Sequence, residues 1–310
     1  MGIFFHILVT NVLPMGILIA LGIVMQKAFA LDIKTLSKLN FYLFSPAIMF
    51  TLIYETDISA GMIGWVLLFL LLFMAAQFAI VEPVIRLRKY SPGMKSAMRN
   101  SVLFYNSANY AVPLNQLVFA GNPVTMAVQI IVMMVQSLVP NTYGIYSVNA
   151  HKADMRQVWK TIVSMPVIYV IPLAFLLRGL EVPVPSFAAT PIGYLSDAFI
   201  GTALLTLGVQ LGNMEWRINR SLLADVTLSA VLRLVAGPLL AWLIVSLMGL
   251  DKLTSAALIV SSAVPTSLSS VLLAVEFDNE KEFASQSVFV STLVSVLTVT
   301  AVIFLLRIEL

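Results

Sequence analysis

Asn109-Tyr110-Ala111-Val112-Pro113-Leu114 and Ser261-Ser262-Ala263-Val264-Pro265-Thr266 decide how this chain is read. Each places a proline inside a mostly apolar run, among amides in the first case and hydroxyls in the second. The Ala-Val-Pro triplets stand 152 residues apart, close to half of the 310-residue chain. Each is followed by a short apolar stretch and a polar turn, Gly121-Asn122 or Asp278-Asn279. The next runs open with Ala127-Val128-Gln129 and Ala284-Ser285-Gln286. Matching order, spacing and flanks indicate an internal repeat.

The runs that carry these prolines are built for lipid. The chain is 60% hydrophobic and 11% charged, with mean hydropathy +0.97. A soluble domain averages about 45–50% apolar and about 25% charged residues. The charge needed to cover a water-exposed surface is missing, which excludes a soluble enzyme. Apolar runs between polar punctuation give ten candidate helices, spans one to ten. They lie near 3–25, 35–54, 61–82, 99–120, 123–148, 158–178, 192–212, 222–248, 253–275 and 283–306, and predict an all-α polytopic protein. No cation precedes the first run, so it reads as a retained span rather than a cleavable signal.

Zero cysteines exclude disulfides and thiolate metal sites. The histidines, His6 and His151, are too far apart in sequence to suggest a metal cluster, and no other cofactor is implied. No basic tract interleaved with aromatics suggests nucleic acid. Intramembrane hydrolysis would need a Ser–His or paired-Asp site at depth, and neither pattern occurs.

Cation placement predicts orientation. With the N-terminus outside, the loops facing the cytoplasm hold 14 Lys and Arg residues, and the opposite side holds Arg178, Lys252 and Arg307. That asymmetry follows the positive-inside rule and places both termini outside a cell membrane. Five spans is an odd number, so the second half, 151–310, would be inverted relative to the first, 1–150. Inverted repeats with broken helices at midplane characterise secondary transporters.

A proline within a helix removes an N–H and clashes with the preceding turn. In lipid such a break survives only within protein or beside a polar cavity. Spans four and nine are therefore expected to break at Pro113 and Pro265. The half-helix N-termini would favour an anion, and the opposing carbonyl ends a cation or polar group. The residues expected to line this site are Asn109, Tyr110, Asn115, Ser262 and Thr266, with Pro113 and Pro265 setting its shape.

Three further residues are weighed as coupling or support groups. Arg233 is the most interior charge, with Asp225 eight residues away as a possible partner. Asp197 near the outer start of span seven reads as a helix cap or an ion or proton site. Gln210 reads as a helix contact or a cavity lining. Glu82 is expected to pair with Arg86.

With these residues in place, the chain resembles the auxin efflux carrier family over essentially its whole length. The resemblance rests on Phe41-Tyr42-Leu43-Phe44-Ser45-Pro46-Ala47-Ile48-Met49-Phe50, Asn109 to Leu114, Leu207-Gly208-Val209-Gln210-Leu211, Arg233 to Leu239, and Ala263-Val264-Pro265-Thr266. It implies two inverted five-helix repeats crossing at the prolines of spans four and nine. It also implies a dimerising scaffold of spans one, two, six and seven, and an elevator-type transport domain of spans three to five and eight to ten. The substrates it implies are organic anions, with Asn109 at the carboxylate. Ala111-Val112-Pro113 departs from the family's frequent Gly-Leu-Pro, and only a short segment joins the halves, as in the short bacterial members. The expected function is a secondary transporter of a small organic anion, with proton or sodium coupling open. The rivals are a sodium-coupled bile-acid-type symporter and a receptor that uses the same pocket without transport.

Overall fold

The computed structural model describes residues 2–56, 59–148, 163–214 and 219–307. The connection between the halves, with His151, Lys152, Arg156 and Lys160, lies outside the described residues, as does Arg217. The described residues are helical throughout, apart from turns and one isolated bridge.

Among the described residues, seven helices are long and apolar enough to cross a membrane: α1 (Phe4–Phe29), α2 (Ile33–Glu55), α3 (Gly61–Arg88), α6 (Pro123–Val148), α8 (Ser186–Asn213), α9 (Leu223–Met248) and α12 (Lys281–Leu306). Between them lie α4 (Pro92–Leu103), α5 (Ala111–Val118), α7 (Val167–Gly179), α10 (Lys252–Ser262) and α11 (Ser269–Glu276). Expected spans four and nine are thus each two shorter helices separated by non-helical backbone, α4–α5 and α10–α11. Large apolar side chains point outward around the bundle, with Leu247 79% and Leu305 75% exposed. Such exposure is unfavourable in water and ordinary in hydrocarbon.

Prolines outside the two breaks distort helices without opening them. Pro14, Pro46 and Pro238 each follow a π-helical turn, at Leu8–Val12, Asn40–Phe44 and Leu232–Ala236. A proline ring collides with the carbonyl four residues back, and a widened turn at that place relieves the clash. A fourth π turn, Pro140–Gly144, begins with a proline. Each of these turns carries one strongly polar residue: Asn11, Asn40, Asn141 or Arg233.

Two groups of helices emerge from the packing. α8 lies along α1 and α2, and α7 packs on α2. Glycines set the α1–α8 distance: a Cβ on Gly208 would stand 2.1 Å from the Ile19 carbonyl, and one on Gly22 2.2 Å from that of Leu205. Small residues permit this approach of two backbones. Asn40 joins the same group, donating to Thr206 Oγ1 at 2.6 Å and accepting from Thr202 Oγ1 at 2.9 Å. Gln210 donates to Ser37 Oγ at 3.3 Å, so it makes a helix contact. In the other group, α3, α6, α9 and α12 surround the broken helices. Two ion pairs hold one end of that group: Glu82 with Arg99 at 2.5 Å and Arg88 with Asp225 at 2.6 Å. Glu82 therefore pairs with Arg99 rather than Arg86, because α4 folds back alongside the end of α3.

Candidate functional site

The two interruptions meet. Tyr105 and Thr266 form an antiparallel bridge, flanked by reciprocal hydrogen bonds. The Asn106 N–H donates to the Pro265 carbonyl at 2.9 Å, and the Ser267 N–H donates to the Phe104 carbonyl at 2.8 Å. Each donor residue also restarts its own chain. Asn106 Oδ1 accepts from the Asn109 N–H at 3.1 Å, just before α5, and Ser267 Oγ accepts from the Ser269 N–H at 3.2 Å, at the first residue of α11. These are the local side-chain turns that Asn and Ser favour at helix starts.

The prolines do not occupy matching places. Pro113 sits in the first turn of α5, where its missing N–H would have been an orphan in any case. Pro265 lies inside the second interruption, and its carbonyl is a crossing acceptor. The first break therefore opens upstream of Pro113, at residues 104–110, rather than at the proline.

Arg233 fills the centre of the crossover. It is 0% exposed, and its guanidinium donates to the carbonyls of Val264 at 3.2 Å, Val102 at 3.0 Å and Ser262. Val102 is in the last turn of α4, and Ser262 ends α10. One cation thus satisfies carbonyls left over at the C-terminal ends of both half-helices, where the helix dipole is negative. Its charge also lies 4.6 Å from the Tyr105 ring centroid and 5.8 Å from that of Phe73. The expected bridge to Asp225 is absent. Asp225 sits in the first turn of α9, where Arg88 and Tyr90 engage it.

The other expected residues divide into those already engaged and one left open. Thr266 is 0% exposed and fully used, its N–H donating to Ser291 Oγ at 3.2 Å and its hydroxyl to the Ser101 carbonyl at 2.8 Å. The Ser262 hydroxyl donates to the Ile259 carbonyl. Buried Tyr110 shares a 3.0 Å hydrogen bond with Ser295 Oγ. Asn115 clasps the start of α6, donating to the Thr125 carbonyl and accepting from Thr125 Oγ1 at 2.9 Å. The Asn109 side chain is half-buried and has no hydrogen-bond partner among the described residues. Its neighbour Ala108 packs against a cluster in which Met49, Ile171 and Phe199 of α2, α7 and α8 meet Val112 of α5 and Met126 and Ile130 of α6. Asn109 therefore stands where the crossover meets the other helix group.

Asp197 is elsewhere. α8 begins at Ser186, so Asp197 is well inside that helix and exposed, not a cap, and it does not reach the crossover. The sequence had not singled out Asn106, Ser267, Ser101, Gln129 or Ser291 as site residues. Gln129 Nε2 donates to the Ser107 carbonyl at 2.9 Å and supports the first interruption. The available signal was the Asn106-x-x-Asn109 and Ser267-x-Ser269 spacing of side-chain turns.

No group of three or more His, Asp or Glu capable of holding a metal occurs among the described residues. A family model described as "Membrane transport protein" matches residues 7–303. An "Uncharacterized transporter" of Methanothermobacter thermautotrophicus is 24% identical over 293 residues, covering 93% of this chain and 95% of that one. A multi-pass helical bundle, the crossing of two interrupted helices and a match over nearly the whole length agree: the chain belongs to the membrane transport protein family, that of the auxin efflux carriers.

Proposed function

We propose that this protein is a secondary carrier of a small organic anion, working by alternating access. Its ten spans would form two inverted five-helix units, 1–150 and 151–310, with both termini outside the cytoplasm of a cell membrane. The observation that carries the reading is the reciprocal crossing at Tyr105 and Thr266 around Arg233. A two-fold axis through that bridge relates Phe104 to Pro265, Tyr105 to Thr266 and Asn106 to Ser267, a register of 161 positions (266 minus 105) rather than the 152 of the Ala-Val-Pro triplets. Symmetry of this kind gives two states open to opposite sides nearly equal energies.

In this reading α1, α2, α7 and α8 are the scaffold, joined to a second copy in a homodimer, and the remaining helices move against them as an elevator. The substrate carboxylate is held by the open Asn109 amide at the seam. The α5 N-terminus and the buried Arg233 charge supply positive potential. Arg233 also bears on coupling. Carbonyls at half-helix ends are ligands that hard cations use, and here a tethered guanidinium already takes Val102, Ser262 and Val264. A sodium ion is not needed to neutralise the crossover, so transport is sodium-independent and driven by protons or potential.

Uptake of labelled 1-naphthoate and succinate into proteoliposomes, with proton or sodium gradients imposed separately, tests this. Uptake should survive removal of sodium, and Asn109→Ala should lower it at least about tenfold with thermal stability unchanged. Unchanged uptake in Asn109→Ala, or strict sodium dependence, would overturn the site or the coupling. Saturable binding without flux would make the protein a receptor.

A further inference from the structure

A second polar feature lies away from the crossover, at the end of the bundle where the described chain begins and ends. A cavity of about 830 Å³ opens there among α1, the end of α5, the end of α9, the start of α10 and the end of α12. Among the described residues, three basic side chains line it, His6, Lys252 and Arg307, and no Asp or Glu does. Lys252 and Arg307 have no ion-pair partner among the described residues. The nearest acid in sequence, Asp251, is turned to the N–H groups of Leu253 and Thr254, which it caps.

The wall also holds a donor with nothing to bind. Asn11 is 4% exposed, lines the cavity, and its Nδ2 has no hydrogen-bond partner. It sits on the π turn Leu8–Val12 that Pro14 enforces. Buried amide donors are almost always satisfied, so an orphan on a residue in the wall of a basic cavity marks a place for an acceptor that a small turn of the side chain would reach. Thr10, Asn122, Ser246 and Ser255 add hydroxyl and amide groups to the wall, and the rest is apolar, with Trp242, Phe119, Leu250 and Ile259.

We propose that this cavity is a binding site for an organic monocarboxylate with an aromatic or branched apolar body. The carboxylate takes the Asn11 amide and the Lys252 and Arg307 charges, and the body lies against Trp242 and Phe119. Charges at a cleft with apolar walls focus the field on such an anion. α5 and α10 both run from the crossover to this cavity. Their 8 and 11 residues make it roughly 12–16 Å away. The site is separate from Asn109 and shares with the carrier reading only the substrate class.

The test is equilibrium binding of tritiated 1-naphthoate to the full chain in phosphatidylcholine nanodiscs. Binding is read in the Asn109→Ala background, which removes the proposed crossover contact; there it should be saturable and resistant to the neutral 1-naphthamide. It should weaken about tenfold in the Lys252→Gln, Arg307→Gln double variant and in Asn11→Leu. Asn11→Leu removes an unsatisfied buried amide, so its thermal stability should hold or rise, whereas a structural role would lower it. Affinity unchanged in both cavity variants, or lost in Asn109→Ala alone, would overturn the proposal. Loss of naphthoate binding when phosphatidylglycerol is mixed into the nanodisc would assign the site to lipid headgroups and overturn it too. Failed uptake with intact binding would sink the carrier reading and leave this site standing.

Discussion

The chain leaves α4 after Leu103 and re-enters a helix at Ala111, whereas it leaves α10 after Ser262 and re-enters at Ser269. The two interruptions cross at the same bridge and share Arg233, but different chemistry holds them open. The first is braced by amides: Asn106 turns the chain, and Gln129 reaches from α6 to the Ser107 carbonyl. The second is braced by hydroxyls: Ser291 of α12 takes the Thr266 N–H, and Ser267 Oγ takes the Ser269 N–H at the start of α11. Amides are longer and carry donors and acceptors together, so the first segment can be tied to a distant helix while Asn109 stays open. Short hydroxyls tie the second segment to α12 and to the Ser101 carbonyl. The amide-rich strand is the one whose unengaged side chain among the described residues, Asn109, is half-buried rather than enclosed, whereas the unengaged Ser261 hydroxyl is buried.

The largest test removes what the two strands share. Arg233→Met keeps bulk but removes a donor from three buried carbonyls, of which, among the described residues, Val102 alone keeps a second side-chain donor, Gln77 Nε2 at 3.0 Å, at a cost of about 3–5 kcal/mol. Thermal unfolding in detergent reads this. Arg233→Lys should recover part of the loss, because one ammonium cannot span carbonyls of both half-helices as the planar fork does. Equal stability of wild type and Arg233→Met would mean the carbonyls are satisfied in some other way.

The second test separates the strands. Asn106 is 7% exposed and Ser267 is half-buried, although both make a side-chain turn ahead of a half-helix. Asn106→Ala should cost about 1–2 kcal/mol and Ser267→Ala about 0.5–1 kcal/mol, read from the same unfolding curves. A reversed order would break the assignment of the amide strand as the one that relies on its own side-chain turn.

How much of this was legible follows from the same residues. Hydropathy marks the long helices because lipid demands apolar side chains regardless of partner. The broken segments showed as prolines among polar residues, and those segments are the interrupted ones. Their register did not show. Pro113 is permitted in a first turn and Pro265 is not in a helix at all, so the motif match paired positions that differ in structure. The real equivalence, Asn106 with Ser267, joins unlike residues that perform the same turn. Arg233 read as an interior charge, but its partners are backbone carbonyls, which every residue carries, so no spacing could name them. Asp197 was misplaced because Pro191, read as lying before the helix, lies inside it. Pro14, Pro46 and Pro238 could not be told from true breaks, since a π turn and an interruption satisfy the same steric demand.

Proline itself gives a smaller effect. Pro113→Ala should change stability by less than about 1 kcal/mol, since the position tolerates either residue, and Pro265→Ala should cost about 0.4–1 kcal/mol through added freedom in the unfolded chain. A much larger loss at Pro113, measured by thermal unfolding, would return that proline to the role of helix breaker.

The smallest effect contrasts the outer starts of the two broken helices. α4 is capped by a neutral side chain, Ser91, which accepts from the Met94 N–H at 3.2 Å. α10 is capped by Asp251, which accepts from the Leu253 and Thr254 N–H groups at 3.1 and 2.9 Å. Partial burial pushes the Asp251 carboxyl up, but those N–H bonds outweigh it and hold the group below its ordinary range. A carboxyl depressed in the folded state stabilises above its unfolded pKa of about 3.9, and that contribution is lost as pH falls through the folded value. Asp251→Asn keeps a good cap and removes only the charge, so near pH 7 it should cost about 0.3–1 kcal/mol. The gap to wild type should close as the medium is taken below the carboxylate range. Ser91→Ala should cost about 0.5–1 kcal/mol near pH 7, and its pH dependence should be the weaker of the two, since the cap itself is neutral and only the long 3.4 Å bond its hydroxyl donates to Glu280 Oε1 involves a carboxylate. Melting curves of both variants across that range give the contrast directly. A gap at Ser91 as pH-dependent as that at Asp251, or a constant one at Asp251, would mean that charge is not what distinguishes how the two interrupted helices are anchored.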